Sequence, residues 1–110
     1  MNTMKPSQAI LKGSKNKKQC TTTLCRSDKQ VCALGALALG YGATTDQLLS
    51  EEVSYKEIWV MHKDMQKIVK YPPNCDYHKK DPLYEVIYYL NDTKNWSFKK
   101  IAAWLKSKGY

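Results

Sequence analysis

The chain has 110 residues, 43% hydrophobic and 25% charged, with a formal net charge of +8 and a pI near 9.3. That length suits one small domain spanning 1–110 with its own core, and that composition excludes a disordered or fibrous chain. No segment reaches the roughly 18 apolar residues of a membrane-spanning helix, and no signal-peptide core precedes residue 30, so a cytoplasmic protein is expected. In a reducing compartment Cys20, Cys25, Cys32 and Cys75 read as thiols, not as a disulfide framework.

Met1–Lys5 reads as a loose terminus. Pro6 suits a first helical turn and opens a short helix over Ser7–Leu11, which Gly13 ends. Ser14–Gln30 is polar and basic with no clean period. Thr21-Thr22-Thr23-Leu24 is β-prone, so a loop or a short β pair near residues 20–30 is expected.

Residues 32–42, CALGALALGYG, stand at the centre of the reading. At helical period Leu34, Leu37, Ala38 and Tyr41 form one stripe, and Ala33, Ala36 and Gly40 form a second stripe of small residues. A helix apolar nearly all round belongs inside a fold. Its glycines cost roughly 1 kcal/mol each relative to alanine, so close packing on several sides must offset them.

Thr44 or Thr45 can cap a short helix over Asp46–Ser50. From Ser54 the spacing predicts a longer helix, with Tyr55, Ile58, Trp59, Met65, Ile68 and Val69 on one face. Lys56, Lys63, Lys67 and Lys70 take its wetter side, and Pro72-Pro73 stops it. After a polar connector over Asn74–Asp81, Pro82 starts a helix to about Leu90, with Leu83, Val86, Ile87 and Leu90 inward. Asn91–Asn95 turns the chain, and Ser97 caps a last helix whose apolar face is Phe98, Ile101, Ala102 and Leu105. The fold class expected is mainly α: a small single-domain helical fold around the central helix 32–42, with the β pair near 20–30.

Three pieces in order resemble a family of small bacterial and phage proteins: Gly13 with Gln19, CALGA at Cys32–Ala36, and LND at Leu90–Asp92 followed by Trp96, Ser97 and IAAWL at Ile101–Leu105. Such proteins are short, stand alone and carry no assigned activity, so the resemblance implies a fold and a bacterial or phage-infected cell. The motif residues Cys32, Asn91, Asp92 and Trp96 then read as structural. Some relatives of this kind carry further cysteines near Tyr71–Cys75, whereas only Cys75 stands here. The tail also resembles the first two helices of a helix-turn-helix. The third, recognition helix has no counterpart before Tyr110, so the pair reads as a core-packing hairpin.

Chemistry-bearing patterns are few. Cys20-x4-Cys25 with Cys75-x2-His78 has the residue types of a zinc set, but the first spacing fits a knuckle loosely, so no metal is expected. Cys32 at a helix start could be an activated thiol with His62 or His78 as base. A buried, inert core cysteine is the simpler reading. Asp92 could be a base or a ligand, though a turn residue bonding its own backbone explains it more simply. Gly40 and Gly42 lack the third glycine of a dinucleotide loop, and no phosphate-loop motif is present. No cofactor and no enzymatic activity are expected.

Charge is the remaining signal. Residues 1–30 hold seven Lys/Arg against one Asp, residues 31–60 one Lys against four acids, and residues 61–110 ten Lys against five acids. Lys15, Lys17, Lys18, Arg26 and Lys29 cluster at the head, and Lys94, Lys99, Lys100, Lys106 and Lys108 at the tail. Lys99 and Lys106 share a helix face opposite Ile101 and Leu105. If the ends lie together they form one basic surface, with Lys15, Lys17, Lys18, Lys94, Lys99, Lys100 and Lys106 available to nucleic-acid phosphates. The alternative is a phage-type regulatory protein that binds an acidic host or partner protein.

Overall fold

Helix α2 (Ala33–Gly40) is the axis of the molecule, and of its eight residues only Leu39 keeps partial exposure. The computed structural model describes residues 4–73, 75 and 80–110. Cys32 precedes α2 as its N-cap, its sulfur accepting the Gly35 amide at 3.4 Å. The chain leaves α2 through Tyr41 and through Gly42, whose φ of +108° suits glycine.

Small residues are required where α1 (Pro6–Gly13) crosses α2. A Cβ added at Gly13 would lie 1.7 Å from the Ala36 carbonyl oxygen, and one at Gly40 would lie 2.0 Å from that of Ala9. The two helices therefore touch backbone to backbone, which is how the Ala36 and Gly40 stripe recovers its cost in helix preference. Gly35 meets the Leu24 carbonyl in the same way on another side of α2.

The basic segment after α1 folds into three short strands where the sequence suggested a pair: β1 (Lys18–Gln19), β2 (Cys25–Ser27) and β3 (Gln30–Val31). β3 lies in the middle, parallel to β1 and antiparallel to β2, with an irregularity between Cys25 and Ser27. The fold is thus mainly helical, with strand content that is not negligible. Helix α3 (Thr45–Leu49) follows, with Thr44 and Gln47 forming a reciprocal cap.

The long helix expected from Ser54 does not form. Helix α4 (Tyr55–Met61) stops at His62, whose φ of −147° and ψ of 137° are extended. Its Nδ1 accepts the Asp64 amide at 3.1 Å and so starts a separate 3-10 turn, Lys63–Gln66. The chain then runs into β4 (Ile68–Lys70), antiparallel to β5 (Lys80–Pro82). Ile58 and Met65 are buried as the helical spacing required, but Ile68 is 63% exposed and belongs to no helix face. Local capping by His62 and strand pairing through β5 outweigh a periodicity that could serve either path.

Helix α5 (Leu83–Asp92) buries Leu83, Val86, Ile87 and Leu90, as their spacing requires. It runs two residues further than expected, so Asn91 and Asp92 belong to its last turn and not to the loop. Asn95 makes the turn, with a φ of +54° that asparagine tolerates. Ser97 caps α6 (Phe98–Ser107), its Oγ accepting the Lys100 amide at 3.1 Å. Ile101, Ala102 and Leu105 are buried, and α6 lies chiefly against α1, so the first and last helices do meet. Among the described residues no helix is long and apolar enough to cross a membrane.

Candidate functional site

Two polar regions organise the molecule. The first centres on Asn91, whose side chain is buried in the last turn of α5. Its Oδ1 accepts Gln19 Nε2 at 2.7 Å and the Ala33 amide at 2.9 Å. Its Nδ2 donates to the Cys20 carbonyl at 3.0 Å and to Asp92 Oδ1 at 2.6 Å. Gln19 Nε2 also reaches the Trp96 carbonyl at 2.6 Å, and Asp92 Oδ2 accepts the Thr22 amide at 2.7 Å. One carboxamide therefore ties β1, the start of α2 and the α5–α6 turn together. Of the residues in the three sequence motifs, Gln19, Ala33, Asn91, Asp92 and Trp96 meet at this clasp, whereas Gly13 and Ile101–Leu105 lie elsewhere.

The clasp has little chemistry left to offer. Burial pushes the Cys32 thiol up to about 12, so it remains protonated at neutral pH and is a poor nucleophile. His62 lies elsewhere, stacked on Tyr41 at 5.6 Å, and His78 falls outside the described residues. Asp92 bonds Thr22 and Asn91, not its own backbone turn as expected, and it helps to raise the neighbouring Tyr88 hydroxyl, an effect second to that group's own desolvation. The role of these residues is to hold three segments in register.

Of the zinc-type set, Cys20, Cys25 and Cys75 are among the described residues. Cys20 and Cys25 are buried beside the small sheet, their thiols donating to the Thr23 and Ser27 carbonyls. Desolvation raises both. Cys75 is half-buried and His78 is outside the described residues, among which no group of three or more His, Cys, Asp or Glu could hold a metal ion.

The second region is a groove of about 550 Å³ between α1 and α6. Lys99, Ala102, Ala103 and Lys106 of α6 supply one wall, with Ala102 at its buried base. Lys5, Ser7, Gln8 and Leu11 supply the other, and no carboxylate lines it. Lys99 and Lys106 therefore share a face, and their partner from the head of the chain is Lys5.

The other predicted lysines distribute unevenly. Lys15 and Lys18 are exposed, whereas Lys17 is turned back to donate to the Asp28 carbonyl. Lys100 lies 4.3 Å from the centre of the Trp96 ring. Because Gln19 bonds the Trp96 carbonyl, β1 with Lys18 sits beside the turn that carries Lys94 and leads into the first turn of α6 with Lys100. The basic ends thus form two patches, the groove and the corner where Trp96 meets β1, in place of one uniform surface.

Sequence reasoning missed Lys5, Ser7 and Gln8. The signal was there in KPSQ: a helix opening on proline with a lysine at the capping position immediately before it.

No family model, curated protein or solved structure matches this chain.

Proposed function

We propose that this is a small, non-enzymatic basic module of the cytoplasm that contacts nucleic-acid phosphates. The observation that carries the reading is the α1–α6 groove, where Lys5, Lys99 and Lys106 line one concavity without a carboxylate among its lining residues. Ammonium groups in such a place attract phosphates and release counterions, but they read no bases, so binding depends steeply on salt and weakly on sequence. Trp96 under Lys100 offers an aromatic face in the second basic patch, suited to stacking on an unpaired base. Short stand-alone phage or bacterial proteins, which the chain resembles in its motifs, accommodate such a role.

A second reading is favoured by the apolar part of the groove. Leu11 is 44% exposed and faces the same space as Ala102 and Ala103, as an acidic amphipathic segment of a partner protein would require. Fluorescence anisotropy with labelled single- and double-stranded DNA and RNA at two salt concentrations separates the two. Micromolar binding that collapses with salt supports the phosphate reading. Its absence at low salt overturns that reading and leaves the acidic protein.

A further inference from the structure

An aromatic face is open to solvent where rings of α4 and α5 meet. Tyr55 and Trp59 stand one turn apart on α4, and Tyr84 and Tyr88 one turn apart on α5. Tyr55 meets Tyr88 edge to face at 5.8 Å, and Trp59 meets Tyr84 in the same manner at 4.5 Å. The two pairs join the helices in antiparallel order, in the edge-to-face geometry that aromatic quadrupoles favour. Tyr55, Trp59 and Tyr84 are only half-buried, while Val60 is 67% exposed and Tyr88 38%. Tyr55, Trp59, Val60 and Tyr84 line, with Lys56, a concavity of about 390 Å³. Aromatic side chains gathered at a surface in this way are the composition of an interface centre.

Charge decides what can cover this face. Glu85 lies at its edge, its carboxylate accepting the Tyr84 hydroxyl at 2.8 Å. Glu51 lines the neighbouring concavity, which also takes Tyr55 as a wall. A nucleic-acid strand would bring phosphates toward both carboxylates, so this face does not suit the ligand proposed for the groove. Two copies of the chain carry +8 each, and most approaches bring lysine toward lysine. Here the exposed Lys56 and the exposed Glu85 border one concavity, and neither has an ion pair among the described residues. A two-fold apposition sets Lys56 of each copy toward Glu85 of the other. That is the self-complementarity an isologous interface requires.

We infer that the α4–α5 aromatic face is an interface between two copies of this chain, with Trp59, Val60 and Tyr84 at its centre and Lys56 paired across it with Glu85. No residue lining the α1–α6 groove lines this face, so a dimer carries two grooves. The pairing stands whether or not the groove binds nucleic acid. Where it does, two grooves on one polyanion raise avidity without a new contact.

The test is sedimentation equilibrium of the full chain over about 5 to 500 μM, a range that brackets a transient contact with a dissociation constant of about 50 μM. Val60→Asp, at an exposed position, should leave only monomer. Lys56→Glu and Glu85→Lys should each weaken the dimer about 10-fold or more, since each sets like charges together across the interface. Lys56→Glu also lowers the net charge of the chain, so a loss there cannot come from general repulsion. Both positions are exposed, and an acid in the first turn of α4 suits the helix dipole, so folding is retained. The double swap should restore the dimer to within about 3-fold of the parent. A monomer at every concentration, a dimer indifferent to Val60→Asp, or single swaps without rescue in the double variant overturns the interface. A monomer whose Trp59 and Tyr84 ring protons shift in NMR on adding a single-stranded oligonucleotide also overturns it, and makes the face a base-stacking platform.

Discussion

The Asn91 clasp and the α1–α6 groove are both polar, and they handle their donors in opposite ways. At the clasp, two donor hydrogens and one acceptor of a single carboxamide meet Cys20, Asp92, Gln19 and Ala33 at 2.6 to 3.0 Å. In the groove, the charged groups of the lining residues are the ammonium groups of Lys5, Lys99 and Lys106, and no carboxylate stands among them. A satisfied buried network fixes a fold, whereas like charges at a surface without a counter-charge are available to an anionic ligand. The motif residues Gln19, Asn91 and Asp92 therefore serve architecture here, and the binding we propose falls on lysines outside the motifs.

The largest expected effect breaks the clasp. Asn91→Ala leaves the Ala33 amide and the Cys20 carbonyl buried without a partner, a loss of about 3 kcal/mol in urea unfolding. The folded fraction should keep its oligonucleotide affinity; a selective loss of affinity at full stability would reverse the assignment of the two regions.

A pH series sharpens the same contrast. The Cys32 thiol titrates at about 12 when folded, against roughly 8.5 for a free cysteine. Between these values the folded state holds the proton longer and the unfolded state binds fewer protons, so stability falls as pH rises. Below pH 8 the contribution is fully present. Unfolding free energy should drop by up to about 1.4 kcal/mol per pH unit between pH 9 and 11, and the drop should be shallower in Cys32→Ala. A thiol reagent at pH 8 should modify Cys32 only at the rate of unfolding.

On the groove side, Lys99→Ala with Lys106→Ala should weaken nucleic-acid binding about 10-fold and reduce the salt slope by roughly two, with the thermal midpoint unchanged. Equal affinity for parent and double variant would move binding away from the groove. The smallest effect is expected for Lys100→Ala, which removes the cation above the Trp96 ring at a cost of about 0.5 kcal/mol. A larger fall in affinity there would make the corner of Trp96 and β1 the main contact.

Much of the architecture is legible where one local rule suffices. Thr44, Ser97 and Pro6 mark helix starts because capping and proline geometry act within a few residues. Ile101 and Leu105 are inward because their spacing leaves one face to bury. The segment from Tyr55 to Lys70 misleads because Ile58 and Met65 are inward both on a continuous helix and on the observed path. His62 decides between them by capping a new turn. In the site, Lys99 and Lys106 can be placed on one face from their spacing alone. Lys5, Ser7 and Gln8 cannot be joined to them without knowing that α1 lies on α6.

By itself the sequence determined that α2 is central, that the helices begin at their caps, and that positive charge lies at both ends. These follow from composition, period and capping, all of which act over short separations in the chain. The tertiary structure alone decided that α1 and α2 touch backbone to backbone at Gly13 and Gly40. It also decided that Asn91 bonds residues more than fifty positions away, and that one end of α1 opens beside the lysines of α6. Each depends on a contact between distant segments, and such a contact is selected by the free energy of the whole packed chain and not by any stretch within it.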